Sequence, residues 1–206
     1  MVRKNRSNKK FISFSGPSCS GKTTLVDAVN WSDYFDNYEL VESHTRVLKA
    51  KGMNINEKGS DETQVSVMDI HHANFAKYNM HSNKSNFITD RCVLDGIVYT
   101  EWLANTGRIH HNILGYASNI FMKVKDKIDI LFYCEPVEYR DDADRKMSKR
   151  DHEIVCGLFE SYIGMFELVQ VVRLKGSVEE RLKIIDNKLK YGKVNVSEED
   201  LLLWNN

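Results

Sequence analysis

Only two prolines, Pro17 and Pro136, occur in 206 residues, and no low-complexity or Gly/Ser-rich stretch separates them. Nothing therefore marks a linker between domains. The four cysteines, Cys19, Cys92, Cys134 and Cys156, lack C-x-x-C spacing. That excludes the usual zinc and disulfide frameworks and reads as reduced thiols in a cytoplasmic chain, in the host cytoplasm if a phage encodes it. No apolar run approaches the length of a membrane-spanning helix. Net charge is missing as well. Twenty-nine basic residues cancel 29 acidic ones, so bulk charge gives no support to a duplex nucleic-acid partner. The exception is local: residues 1–10 carry five basic residues and no acidic one. Without an apolar segment behind them they read as a flexible solvated tail and not as a signal peptide. His71, His72 and His81 come without the carboxylate or cysteine pattern of a metal site. Spacing places His72 on a partly buried helix face and His71 outside it.

Against these absences stands one specific motif. Gly16-Pro17-Ser18-Cys19-Ser20-Gly21-Lys22-Thr23-Thr24 satisfies G-x-x-x-x-G-K-[ST] at every fixed position. The apolar run Phe11 to Ser15 leads into it, and Leu25, Val26 and Val29 follow at helical spacing. Strand, glycine loop and helix are the context this motif requires. Its glycines let successive N–H groups turn inward around a phosphate, and the helix N-terminus adds a positive dipole end. Lys22 is expected to reach the β- and γ-phosphates and Thr23 to ligate Mg²⁺. The stretch predicts a nucleoside triphosphate site.

The remaining chain alternates. Tyr38–Val41, Asn86–Thr89, Ile128–Tyr133 and Val169–Leu174 read as further strands, each separated from the next by helical periodicity. A short helix closes at Gly52, a polar loop covers 53–60, and Asp61 with Gln64 offers a capping box for a long helix striped by Val65, Met68, His72 and Phe75. Helices follow around Leu94–Trp102, Ile113–Val124, Ile154–Phe166 and Leu182–Leu189, and Ser197 could cap a short terminal one. The fold class is α/β. We expect a three-layer domain over residues 11–206 with a five-stranded, mainly parallel sheet and a small lid near residues 138–151. Ligands of such sheets bind at the carboxyl ends of the strands, which places the phosphate loop, Glu42 and Asp90-Arg91 on one rim.

Three groups on or near that rim carry chemistry. Asp90 could hold Mg²⁺ or take a proton from an attacking hydroxyl, and Arg91 could hold an anionic substrate or the transferring phosphoryl group. Glu42 and Arg46, four apart, could form an acceptor site or a plain ion pair. Arg140, Arg145, Lys146, Lys149 and Arg150, interleaved with aspartates, could close over phosphates or form a solvated charged helix. Tyr99, Trp102 and Trp204 read as packing or surface aromatics.

In these residues the chain resembles the small P-loop nucleoside and nucleotide kinases, in particular the NadR-like (nicotinamide riboside kinase-type) proteins that include phage members, and more distantly thymidylate kinases. The resemblance runs from about Phe11 to Leu189. It rests on Gly16 to Thr24, Glu42-x-x-x-Arg46 with Gly52, Thr63-Gln64, Asp90 to Gly96, Tyr139 to Asp142, and Gly176 to Arg181. It implies ATP at Lys22 and Thr23, Mg²⁺ shared by Thr23 and Asp90, and a substrate pocket of Glu42, Arg46 and Arg91. It also implies a lid with Arg140 and Arg145, and a loop at Gly176-Ser177 beside the adenine. Asp141-Asp142-Ala143 departs from the Asp-Asp-Gly common among relatives. The expected activity is ATP- and Mg²⁺-dependent phosphoryl transfer to a nucleoside or nucleoside monophosphate. A nucleotide switch acting with a protein partner and a kinase of modified bases in DNA remain open, as does a homodimeric state.

Overall fold

The computed structural model describes residues 9–41, 44–55, 58–80, 86–136 and 147–191. The elements run β1 (Phe11–Ser15), α1 (Lys22–Ala28), β2 (Tyr38–Val41), α2 (His44–Ala50), α3 (Asp61–Met80), β3 (Asn86–Asp90), α4 (Val93–Asn105), α5 (His111–Val124), β4 (Ile130–Cys134), α6 (Lys149–Ile163), β5 (Gln170–Leu174) and α7 (Val178–Tyr191). The strands form one sheet in the order β2-β3-β1-β4-β5, and every pairing is parallel. The five-stranded parallel sheet expected from the sequence is present, and every pairing among the described residues is parallel.

Burial along the strands explains that order. β1 and β4 are buried throughout and β3 nearly so, as expected of strands covered on both faces. β2 alternates between exposed and half-buried residues, β5 mixes exposed with buried ones, and the two form the edges. Alternate side chains of β4 serve two cores. Leu131 and Tyr133 pack with α4, α5 and α6, whereas Ile130 and Phe132 pack with Ile12, Phe14, Leu25 and Ile185 under α1 and α7. Phe14 and Phe132 lie 5.0 Å apart between centroids, and both are wholly buried. Truncating either to alanine would cost about 3–5 kcal/mol.

Several local expectations are corrected. α1 begins at Lys22 and ends at Ala28, three residues earlier than the apolar spacing from Leu25 suggests. Trp31 instead sits in a short 3₁₀ turn, where its Nε1 donates to Val26 O at 3.1 Å. In α3 the capping side chain is that of Ser60, whose Oγ accepts from the Thr63 amide. Asp61 caps a different helix: its Oδ1 accepts from the amide of His110, the N-cap of α5. The buried face of α3 comprises Thr63, Gln64, Val67, Met68, His71 and Tyr78. His71 is therefore inside and His72 exposed, the reverse of the periodicity reading. Apolar spacing misplaced the stripe because this face packs partly on polar rim residues. Burial pushes the His71 imidazole, with Arg91 as a lesser contributor, down to about 3, so it is neutral at physiological pH.

Residues 1–8 of the basic tail, Glu42, His81, residues 138–146 of the expected lid and the terminal segment with Ser197 and Trp204 lie outside the described residues. The distal end of the expected lid is described. Met147 is buried, Ser148 Oγ accepts from the Asp151 amide as the N-cap of α6, and Asp151 accepts from Trp102 Nε1 at 3.2 Å. Residues 149–151 are thus the first turn of a fixed helix.

Candidate active site

β1 and β3 are neighbours and end side by side, which brings the phosphate loop and Asp90-Arg91 together. The loop needs glycine at two points. Gly16 (φ 144°) lies against the end of β4, where an added Cβ would stand 2.3 Å from Cys134 O. Gly21 (φ 81°) occupies the left-handed region just before α1. Cys19 also has positive φ, 61°, and is exposed. Between them Lys22 is only 4 % exposed, and its ammonium donates to Gly16 O and Pro17 O, both at 2.6 Å, and to Ser20 Oγ at 3.1 Å. Burial, reinforced by the Arg91 charge, pushes Lys22 down to about 8. A phosphate entering the loop competes with these carbonyls for a cation already inside it.

Thr23, on the first turn of α1, donates its hydroxyl to Asp90 Oδ2 at 2.7 Å. Asp90 is buried, and its Oδ1 accepts no hydrogen bond among the described residues. A buried carboxylate oxygen without a partner is costly, so this pair fits a hard cation. Mg²⁺ commonly takes one or two protein oxygens and leaves its remaining positions to water and phosphate. No cluster of three or more His, Cys, Asp or Glu side chains suited to a metal occurs among the described residues.

Arg91 turns the chain. Its φ of 85°, unusual for a residue with a side chain, sends Asp90 toward Thr23 and its own guanidinium the other way. Its amide donates to Phe14 O at 2.9 Å, and Nη1 donates to Asp95 Oδ1 at 3.1 Å. Asp95, 3 % exposed, accepts at Oδ2 from Ser15 Oγ at 2.7 Å and from the Cys92 amide at 3.1 Å. One carboxylate thus caps α4, fastens the end of β1 and holds Arg91.

On that side Arg91, Asp95, Gly96 and Tyr99 of the α4 region face Thr63, Gln64 and Val67 of α3, with Thr45 and Ile55 across, around an open cleft. Gly96 allows the approach, since a Cβ there would stand 2.5 Å from Met68 Sδ. Thr100 Oγ1 has one proton for two acceptors, Gly96 O at 2.7 Å and Gln64 Oε1 at 3.0 Å. Arg46 is exposed on α2 and is not among these lining residues, although its neighbour Thr45 is. Glu42, Arg140 and Arg145 fall outside the described residues.

Gly176 (φ 83°) and Ser177 lead into α7 and are exposed. Arg181 ties that loop to the phosphate loop: Nε donates to Gly176 O at 2.9 Å and Nη1 to Ser20 O at 2.7 Å, from a residue 5 % exposed. Ser18 is half-buried, Ser20 buried and Thr24 exposed. Asp95, Tyr99, Gln64 and Arg181 had no individual site role in the sequence reading. Gln64, Asp95 and Arg181 were signalled there only by membership in the short strings shared with P-loop kinases, and Tyr99 read as a packing or surface aromatic.

No curated protein matches the sequence significantly. Among solved structures, deoxyadenosine kinase from M. mycoides, with dCMP and a flexible dCDP bound, is similar with a TM-score of 0.60 at 16% identity, covering 86% of this chain and 97% of that one. NadR in complex with NAD and AMP-PNP is similar with a TM-score of 0.64 at 17% identity, and NadR in complex with NR with 0.61 at 20%. Each NadR match covers 92% of this chain, which spans about half of NadR (51% and 54%). At such identities these likenesses establish the P-loop kinase fold. The family profile described as AAA domain matches residues 11–181. Since that match takes in far more than half of the chain, the protein belongs to this AAA domain family of P-loop nucleotide-binding proteins.

Proposed function

We propose that the chain is an ATP- and Mg²⁺-dependent kinase that transfers the γ-phosphoryl group to a hydroxyl of a nucleoside. The observation that carries this reading is the division of labour between two consecutive residues. Asp90 meets Thr23 beside the phosphate loop, while Arg91 lines a cleft of its own. A nucleotide switch needs the first half of this arrangement and not a second cleft, lined by hydroxyl and amide side chains, opening on the same rim.

Charge favours a neutral acceptor. Among the described residues lining the cleft, Arg91 is the one cation and Asp95 the one anion, and they are paired at 3.1 Å. A nucleoside monophosphate would bring a phosphate of roughly −1.5 to −2 charge to a cation that is already compensated. A nucleoside needs hydroxyl and amide partners, and Thr45, Thr63 and Gln64 line the cleft. NR, named with one similar structure, is of that class, and dCMP, named as a product with another, is a nucleoside carrying one phosphate.

Thr23 and Asp90 would hold Mg²⁺, which neutralises phosphate oxygens in such transfers. Lys22 leaves its carbonyl partners to meet the phosphates. Arg91, immobilised by Asp95, orients the acceptor beside the γ-phosphoryl group. Glu42, assigned from its place directly after β2, takes the proton of the attacking hydroxyl, and Arg140 and Arg145 close over the transferring group. Positioning and electrostatics of this kind supply most of the rate in phosphoryl transfer. The test is product identification. With γ-labelled ATP and a set of ribo- and deoxyribonucleosides, label should appear in one nucleoside monophosphate. Label released only as inorganic phosphate would favour the switch.

A further inference from the structure

Tyr99 stands apart from the other cleft residues, because its hydroxyl leaves the cleft and reaches the phosphate loop. It accepts from the Ser18 amide at 2.9 Å and lies 2.8 Å from Ser18 Oγ. The ring itself is fixed. It is 7 % exposed and meets Trp102 and Phe159 edge-on, each at 6.3 Å between centroids. On the same helix, four residues earlier, Asp95 holds both Ser15 and Arg91. α4 therefore grips the loop from both sides of its first turn, at Ser15 and at Ser18, with side chains that also line the acceptor cleft.

On the reading proposed above, we infer that Tyr99 is a positioning residue for phosphoryl transfer. Its hydroxyl sets the Ser18 turn of the phosphate loop from the acceptor side, so that the γ-phosphate and the acceptor hydroxyl meet in line. With the Ser18 amide taken by Tyr99, the rest of the loop from Cys19 to Thr24 is left to hold nucleotide. Loss of the hydroxyl should thus misplace the reacting groups and leave ATP affinity nearly intact. Small displacements of reacting atoms cost roughly ten- to a hundredfold in rate.

Tyr99→Phe keeps the ring contacts and removes only the hydroxyl. With ATP, Mg²⁺ and the accepted nucleoside, kcat should fall at least about tenfold, while the Kd for a non-hydrolysable ATP analogue stays within about twofold. Ser18→Ala in the Tyr99→Phe background should add little to that loss, because both changes remove one link. Unchanged kcat would overturn the inference. So would a parallel loss of ATP affinity and thermal stability, which would make Tyr99 a packing residue. A second readout needs no turnover. Amide hydrogen exchange at Ser18 should be at least about tenfold faster in Tyr99→Phe than in the parent. Equal exchange would show that the link is not made in solution. Parent protein that transfers nothing to any nucleoside would remove the kinase reading, whatever Ser18 exchange shows.

Discussion

Thr23 donates its hydroxyl to Asp90 Oδ2 at 2.7 Å, joining the first turn of α1 to the end of β3 across two adjacent strands. The second oxygen of Asp90 is buried and accepts nothing among the described residues. Two residues 67 apart in sequence thus meet and leave one buried carboxylate oxygen unused among the described residues.

Asp90→Asn retains an oxygen for Thr23 and nearly the same shape but removes the charge. Phosphoryl transfer should fall by about 10²–10³, the range for losing one charge-stabilising group, and half-maximal activity should need more Mg²⁺. A Mg²⁺ titration of initial rates checks both. A variant with the parent's Mg²⁺ dependence would remove Asp90 from the metal site.

Lys22 makes ATP binding depend on pH in a definite direction. Its folded value is lowered from 10.5 to about 8, so the folded chain holds fewer protons than the unfolded one between those limits. This group's contribution to stability therefore rises with pH through that window. Below it, the buried charge costs the fold about 3 kcal/mol, at about 1.36 kcal/mol per pK unit. Anionic phosphates restore the proton. ATP binding at pH 9 should take up a large fraction of one proton, and affinity should weaken by up to about tenfold per unit above pH 8. Calorimetry in two buffers of different ionisation enthalpy measures the uptake, and Lys22→Met should abolish it. Binding without proton uptake would contradict the assignment.

Two glycines separate strain from propensity. Gly16→Ala forces a Cβ to within 2.3 Å of Cys134 O at φ 144° and should destabilise by about 3 kcal/mol or more. Gly115→Ala, in the exposed part of α5 with nothing within 4 Å of the new Cβ, should stabilise by about 1 kcal/mol. Thermal melts of the two variants should move in opposite directions. A tolerated Gly16→Ala would mean that the loop does not rest against β4 as described.

How much of this was legible beforehand follows from the range of each interaction. The phosphate loop, the strands at Phe11–Ser15 and Tyr38–Val41, and the place of Asp90 at a strand end are local matters of spacing, and the structure agrees with them. Their assembly on one rim follows from parallel pairing alone. Asp95, Tyr99 and Arg181 were not legible as site residues. Each acts on a backbone or side-chain partner that only the folded sheet brings near: Ser15 for Asp95, Ser18 for Tyr99 and Ser20 for Arg181. α3 misled for a related reason. Its inner face carries Thr63, Gln64 and His71 toward the site, so hydrophobic spacing pointed to the wrong side.

The most direct measurement is acceptor-dependent ADP release, with Mg²⁺ and ATP, comparing each nucleoside with its own 5′-monophosphate. The pairing of Arg91 with Asp95 at 3.1 Å predicts at least about tenfold stimulation over ATP alone by one or more nucleosides and none by the matching monophosphates. Stimulation by monophosphates alone, or a rate that no acceptor alters, would contradict the account.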